Sequence, residues 1–153
     1  MMKYHLYVAD LTATLDKVLY LATLVGADMA RFEHESGLTT SRTHLLWVLG
    51  DAGPCTQRSL ATALGVSARN VTGLVDGLVG SGHVSREPHP SDRRATLVTP
   101  TAKGEAVIRS LIDSHQQLAR ELFGHMPYEQ LSVFAATLDE TIATFARLME
   151  EAS

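Results

Sequence analysis

The sequence predicts a mainly α-helical fold with one small β-hairpin, in which long helices near both ends flank a compact basic centre. Three observations predict this fold. Apolar residues recur at helical spacing over long terminal stretches, two short helix signatures occupy the centre, and two strand-like runs joined by a turn follow them. A chain of 153 residues can also bury about two-thirds of its surface without disulfide or metal support.

The outer regions predict the long helices. Apolar side chains recur at helical intervals over residues 8–35, and "TTSRTHLLWVLGDAG" predicts a shorter helix between polar starters and glycine stops. The helical pattern returns after Thr101, breaks at Gly124 and Pro127, and continues to Met149. Because such amphipathic helices need a partner face, we expect them to pack against each other or against a second copy of the chain.

The centre predicts two short helices joined by a tight turn. Thr56 is a suitable N-cap for the first helix, Gly65 a suitable stop, and Ser67 a suitable N-cap for the second. A single buried stripe follows on the second helix, formed by Val71, Leu74, Val75 and Leu78. Two helices joined in this way are typical of a helix-turn-helix, although a helical hairpin with a solvated face fits these residues equally well.

In a helix-turn-helix, the second helix enters the major groove of DNA. Arg69 and Asn70 suit this role because arginine pairs with guanine, and asparagine with adenine, through two hydrogen bonds each. The candidate DNA-binding residues of this recognition helix are Ser67, Ala68, Arg69, Asn70, Thr72 and Gly73.

A β-hairpin is predicted directly after the recognition helix. The runs "HVSREP" and "ATLVT" have strand character, and "HPSDR" between them is rich in turn-forming residues. A hairpin beside a recognition helix is a wing, and arginines at its tip can reach an adjacent minor groove. The candidate wing residues are Arg86, Asp92, Arg93 and Arg94.

The charge distribution favours a nucleic-acid partner for the centre. Residues 56–103 hold six basic and three acidic residues, a net charge of +3, although the whole chain carries −4. Such an asymmetry is informative where the total charge is not.

Residues 60–104, "LATALGVSARNVTGLVDGLVGSGHVSREPHPSDRRATLVTPTAKG", resemble the MarR family of transcriptional regulators. The resemblance implies a winged helix-turn-helix fold in a homodimer that binds an inverted-repeat operator in double-stranded DNA. It further implies a repressor that a small ligand or thiol oxidation releases. The helical dimerisation region is then residues 1–37 with 105–153, and the DNA-binding region is 38–104.

The resemblance also implies roles for individual residues. Arg86 ends the first wing strand, Asp92 steadies the wing, and either Arg93 or Arg94 enters the minor groove. Gly77 departs from the pattern because similar proteins often carry arginine there, and a mid-helix glycine costs about 1 kcal/mol relative to alanine.

Two alternatives to this function remain open at the level of sequence. One is a winged-helix module for protein contacts that has lost DNA binding, which the glycines of the recognition helix favour. The other is a zinc-sensing repressor of the same fold, for which His44 and His115 are candidates although metal-site spacing is absent. No cofactor is expected. Catalysis is not expected either, because no nucleophile-elbow, P-loop or dinucleotide-binding motif occurs.

Three further expectations concern ligands, thiol chemistry and location. Tyr20, His44 and Trp47 form a candidate pocket for a small aromatic or anionic ligand, with Trp47 as a core residue the simpler interpretation. Cys55 is expected to pack beside Leu60 rather than to sense oxidants. No signal peptide or membrane partner is expected, because no apolar run reaches 18 residues, and a cytoplasmic location follows.

Overall fold

The computed structural model describes residues 2–92 and 94–152, so Arg93 of the candidate wing lies outside the described residues. The mainly helical fold with a winged helix-turn-helix centre is confirmed. Helix α1 begins well before the predicted start at residue 8. The elements in chain order are α1 (Met2–Ser36), α2 (Thr40–Ala52), β1 (Cys55–Thr56), α3 (Gln57–Leu64), α4 (Ala68–Gly80), β2 (Val84–Pro88), β3 (Thr96–Pro100), α5 (Ala102–Phe123) and α6 (Tyr128–Glu151).

The sheet has three strands rather than the predicted two. Strands β2 and β3 form the expected antiparallel hairpin, and the two-residue strand β1 pairs with the other edge of β3, giving the order β1-β3-β2. In β1, Cys55 lies opposite Val98. A strand of two residues is too short to show an alternating pattern in the sequence, so only its pairing with β3 reveals it.

The predicted helix boundaries in the centre are confirmed by their caps. The Thr56 hydroxyl accepts the Ser59 backbone N–H at 3.2 Å, and the Ser67 hydroxyl accepts the Asn70 N–H at 3.2 Å. Gly65 ends α3 with φ of 64°, a left-handed conformation that glycine adopts without a Cβ clash. These caps satisfy N–H and C=O groups that helix ends leave without intrahelical partners.

The buried core lies where α2, α3, α4 and the sheet meet. The predicted stripe of α4 points into this core except for Leu74, which is half-buried. Burial of several leucine-sized side chains is the main stabilising contribution, at about 1.5–3 kcal/mol each. The buried apolar residues are Leu38, Leu45, Leu46, Leu49, Leu60, Val71, Val75, Leu78, Val84, Val98 and Ile108.

The described chain divides into two compact units. One ends at Ile108 and the other begins at Arg109, so α5 contributes residues to both. The sequence predicts a different division, into a DNA-binding region (38–104) and a dimerisation region (1–37 with 105–153). That functional division stays a prediction. Within the described residues, no helix is long and apolar enough to cross a membrane.

The segment from Ser81 to His83, which we call the α4–β2 junction, connects the recognition helix to the wing. His83 is buried, with 5% of its surface exposed, and its Nδ1 lies 2.8 Å from the Ser81 hydroxyl. Its backbone N–H donates to the Leu78 carbonyl of α4 at 2.8 Å, and its carbonyl accepts the Thr101 N–H at 3.0 Å. The junction therefore joins α4 and the first strand of the wing to the start of α5.

The start of α5 approaches the junction closely. The Thr101 hydroxyl donates to the Gly82 carbonyl at 2.6 Å, and the Lys103 ammonium donates to the Ser81 carbonyl at 2.8 Å. Gly104 is buried, and a Cβ atom there would collide with the His83 carbonyl group, whose carbon lies 3.1 Å away. Only a residue without a side chain fits this approach, which sequence patterns alone do not indicate.

We predict that His83 makes the fold sensitive to mild acid. Burial, and then the charges of Lys103 and Arg42, lower the pKa of His83 below its usual 6.5, so the unfolded chain binds a proton at a higher pH than the native chain. The free energy of unfolding should fall as the pH drops below about 6.5, by no more than about 1.4 kcal/mol per pH unit from this group. Urea titrations at several pH values between 7.5 and 5.5 measure this dependence.

His83→Gln is the comparison, because it removes the titrating group and keeps a polar side chain. Its unfolding free energy should depend less steeply on pH than that of the wild type over this range. Parallel profiles for the two proteins would contradict the role of His83.

Candidate nucleic-acid interface

The residues predicted to contact DNA share the exposed face of α4. Ala68, Arg69, Asn70, Thr72 and Gly73 are all exposed, opposite the buried stripe, and Ser67 is exposed at the N-cap. This face follows from spacing, since buried residues three and four apart leave the positions between them facing outward. Within the described part of the chain, the Arg69 guanidinium has no carboxylate partner.

Thr72 of the recognition helix also contacts α3. Its hydroxyl lies 2.9 Å from the Ala68 carbonyl of its own helix and 3.1 Å from Oε1 of Gln57. Gln57 is the first residue of α3, directly after the Thr56 cap. Thr72 thus holds the two helices of the helix-turn-helix together at their exposed edge, a contact that sequence reasoning did not anticipate.

The turn of the wing is built around Asp92. Its Oδ1 accepts the Arg94 backbone N–H at 2.9 Å, and its carbonyl accepts the Ala95 N–H at 3.0 Å. An aspartate that accepts the N–H two residues onward forms an Asx-turn, which stabilises a tight change of chain direction. Asp92 therefore orders the segment that presents Arg94, which is exposed.

His89 completes the same turn. Its Nδ1 accepts the backbone N–H groups of Ser91 at 3.2 Å and Asp92 at 3.1 Å. These contacts require an Nδ1 without a proton. This role could not be predicted, because a histidine before Pro-Ser-Asp is equally consistent with a solvated turn residue.

Arg86 lies within β2 and not at its end, because the strand continues to Pro88. Its guanidinium lies 2.5 Å from the Asp76 carboxylate of α4. This ion pair connects the wing directly to the recognition helix and neutralises the acidic residue on the exposed face of α4. The spacing of ten residues between the partners, with a turn and a strand between them, could not be read as a contact from sequence.

A cleft of about 310 Å³ lies between α2 and the recognition helix. Of the three residues proposed for a ligand pocket, His44 lines this cleft, whereas Tyr20 and Trp47 are not among its lining residues. Tyr20 is 65% exposed on α1, and Trp47 is half-buried. The cleft is lined by Ser41, His44, Leu64, Val66, Asn70, Gly73 and Leu74.

Cys55 occupies a position that disfavours thiol sensing. It is half-buried in β1, and burial raises the pKa of its thiol above the usual value. Reactive thiols need a lowered pKa, because the thiolate is the nucleophile. Within residues 2–92 and 94–152, no group of three His, Cys, Asp or Glu side chains is arranged to hold a metal ion.

Comparisons with known proteins agree with this geometry. The family model described as "MarR family" matches residues 38–96, which run from two residues before α2 to the start of β3. The transcriptional regulator YfiV of Bacillus subtilis is 30% identical, over 88% of this chain and 83% of its own length. This chain belongs to the MarR family.

One further relative is similar in sequence, and one solved structure is similar in fold. The regulator YcgE of Bacillus subtilis is 31% identical over 68% of this chain, which spans 65% of the length of YcgE. FabT of Streptococcus pneumoniae, solved in complex with DNA, shares the fold, with a TM-score of 0.73 and 21% identity over 84% of this chain and 94% of FabT. YfiV and YcgE are both described as HTH-type transcriptional regulators.

We predict that the Asp76–Arg86 ion pair contributes modestly to stability. Their side chains are 60% and 34% exposed, and exposed pairs contribute about 0.2–1 kcal/mol. A double-mutant cycle of Asp76→Asn and Arg86→Gln should give a coupling energy in this range at low salt and a smaller one at about 1 M salt. Denaturant unfolding of the four proteins measures it.

Glu87→Gln provides the control for this cycle. Successive side chains of a strand point to opposite faces, so Glu87 faces away from the side of β2 that meets Asp76. Its cycle with Asp76→Asn should show no coupling. Zero coupling for the Asp76–Arg86 cycle at low salt would mean that the pair does not connect the wing to α4 in solution.

Proposed function

We propose that this MarR-family regulator acts in the cytoplasm as a homodimeric repressor that binds an inverted-repeat operator in double-stranded DNA. One observation carries the proposal. The exposed face of α4 carries Asn70 and Arg69, which has no carboxylate partner among the described residues. The Arg86–Asp76 ion pair joins this face to a wing whose turn Asp92 orders. Two DNA-reading elements fixed relative to each other match two adjacent grooves.

The recognition helix and the wing would read DNA in different ways. Arg69 and Asn70 sit in the first turn of α4, where side chains of a recognition helix reach base edges in the major groove. Arg94 follows Asp92 at the wing and would enter the neighbouring minor groove, where arginine is drawn to narrow A·T tracts. Arg93 remains a candidate for the same role. Arg86, being paired with Asp76, would serve as a positioning residue for the wing.

Exposed apolar side chains support the homodimer. No residue of α1 between Asp10 and Ser36 is buried, and neither is any residue of α6. Many large apolar side chains exposed along one helix are typical of protein–protein interfaces. They include Leu11, Leu15, Val18, Leu19, Leu21, Leu24, Val25 and Met29 on α1, and Val133, Ile142, Phe145, Leu148 and Met149 on α6.

A small aromatic or anionic ligand is proposed to release the repressor. The cleft beside α4 supports this, because its lining includes Asn70 and Gly73 of the recognition helix and His44 of α2. A molecule bound there would compete with DNA for the same side of α4. Tyr20 and Trp47 stay candidates for a separate part of the ligand site.

The rival function, a winged-helix module for protein contacts, is less well supported. The feature in its favour is the glycine-rich recognition helix, because mid-helix glycines destabilise a helix. However, the Asp76 charge is neutralised by Arg86 and the wing turn is ordered, and a surface that had lost DNA binding has no need of either feature. For the zinc-sensing alternative, no three His, Cys, Asp or Glu side chains are grouped to hold a metal ion in the part of the chain that the structure describes.

Salt-dependent binding to DNA tests the proposed function. A duplex selected by the purified protein from a random double-stranded library would serve as the operator. The logarithm of the binding constant should fall linearly with the logarithm of salt concentration, with a slope of about −0.9 for each phosphate neutralised. A flat response, or failure to select any sequence, would favour the protein-contact rival.

Asp92 should strengthen DNA binding although its charge repels phosphate. Asp92→Ala removes the acceptor of the Arg94 N–H, so the turn should lose order and operator affinity should fall. Asp92→Asn is the matched control, because its carbonyl oxygen keeps an acceptor while the charge is removed, and it should bind at least as well as the wild type. Equal or tighter binding by Asp92→Ala, at one fixed salt concentration, would contradict the ordering role.

Phe145 should lie in the dimer interface. Its side chain on α6 is 65% exposed in the single chain, so Phe145→Glu should be harmless to the isolated fold. Burying that charge between two chains without a partner costs several kcal/mol, so sedimentation should show monomers. Glu140→Gln, at an exposed polar position of the same helix, should leave the dimer intact. A dimer unaffected by Phe145→Glu would place the interface elsewhere.

A further inference from the structure

Arg42 of α2 lies against the recognition helix at Gly77. A Cβ atom at Gly77 would lie 2.6 Å from Cζ and 2.8 Å from Nε of the Arg42 guanidinium. The absent side chain therefore leaves the space that the guanidinium occupies. Glycine at this position destabilises the helix relative to alanine, but it allows a cation from α2 to lie on the surface of α4.

Arg42 lies on the side of α4 that also carries Asn70 and Gly73, two candidate DNA-contacting residues. Asn70, Gly73 and Gly77 are spaced by three and four residues, so they form one line along the helix. Asn70 and Gly73 line the cleft that Ser41 and His44 of α2 close from the other side. Arg42 thus extends this line of residues toward the C-terminal half of the recognition helix.

The surroundings of Arg42 are basic. Arg42 and Lys103 both act electrostatically on His83, and each disfavours its charged form. Within the described residues, no carboxylate pairs with the Arg42 guanidinium, and none of its N–H groups donates a hydrogen bond. Lys103 differs, because its ammonium is bonded to the Ser81 carbonyl at 2.8 Å.

A purely structural role does not explain this arrangement. The end of α4 already has its cation in Lys103, and a guanidinium that served as a strut would bond to a carbonyl or carboxylate. Arg42 is half-buried and its guanidinium lies against Gly77, yet the guanidinium donates to no group among the described residues. A planar fork of unused donors with a positive charge matches the oxygens of a phosphate.

We propose that Arg42 binds a backbone phosphate of operator DNA, and that Gly77 is the residue that makes this contact possible. This proposal rests on the proposed DNA-binding function. When the N-terminal turn of α4 contacts base edges, the later turns lie beside the wall of the major groove, which is formed by phosphates. The recognition surface thereby takes one of its cations from α2, and α4 needs no basic residue of its own at that position.

The test compares salt dependence for variants on the selected duplex and on an unrelated duplex. Arg42→Gln should lose one phosphate contact per half-site, so the slope should become shallower by about 0.9 per contact, or about twice that for a dimer. Affinity should fall by the same factor on both duplexes, because phosphate contacts carry no sequence information. Arg42→Lys keeps the charge and should recover most of the wild-type slope.

Gly77→Ala tests the second half of the proposal without touching Arg42. The added Cβ should displace the guanidinium and make the slope shallower, in the same direction as Arg42→Gln. Gly80→Ala is the matched control, because it adds a methyl group to the same helix where no side chain and no other element lies within 4 Å, its sequence neighbours aside. Its slope should equal that of the wild type.

Two results would overturn the role of Arg42. A wild-type slope in Arg42→Gln, with or without a lower melting temperature, would make Arg42 a structural residue. A loss of affinity confined to the selected duplex would make it a base-reading residue. Failure of the wild type to bind any duplex would remove the DNA-binding function itself, which is a distinct outcome.

Discussion

The close approach of α5 to the α4–β2 junction is the constraint on which the rest of the site depends. His83 is buried there, its carbonyl accepts the Thr101 N–H at 3.0 Å, and Gly104 leaves no side chain between α5 and that carbonyl. The end of the recognition helix and the start of the wing are consequently held by one set of bonds. A looser junction would let α4 and the wing move independently. Their separation would then no longer match the spacing of two adjacent DNA grooves.

A second connection joins the same two elements further from the junction. Arg86 of β2 pairs with Asp76 of α4 at 2.5 Å, so the wing is attached to the recognition helix at two separated points. Two separate contacts fix the orientation of the wing relative to α4, whereas a single contact would let the wing rotate about it. Because the second is exposed and electrostatic, we expect it to weaken at high salt while the buried junction persists. Rigid placement of the residues proposed to contact the two grooves lowers the loss of conformational entropy on DNA binding.

Sequence reasoning succeeded where the determining interactions are local. The caps Thr56 and Ser67 and the stop at Gly65 act within a few residues, so their signals are contained in short stretches of sequence. Strand β1 could not be predicted, because only its pairing with β3 makes it a strand. Contacts between residues distant in sequence could not be predicted either. Gly77 was interpreted as a destabilising position of the helix, because the residues around it in sequence do not reveal that Arg42 lies against it.

Methylation interference on a selected operator tests most directly whether α4 and the wing bind adjacent grooves as one unit. Methyl groups on guanine N7 block the major groove, and those on adenine N3 block the minor groove. We expect two symmetry-related patches of N7 interference, each with N3 interference in the neighbouring minor groove. N7 interference without any N3 interference would contradict it, because the wing would then not reach DNA from its place beside the recognition helix.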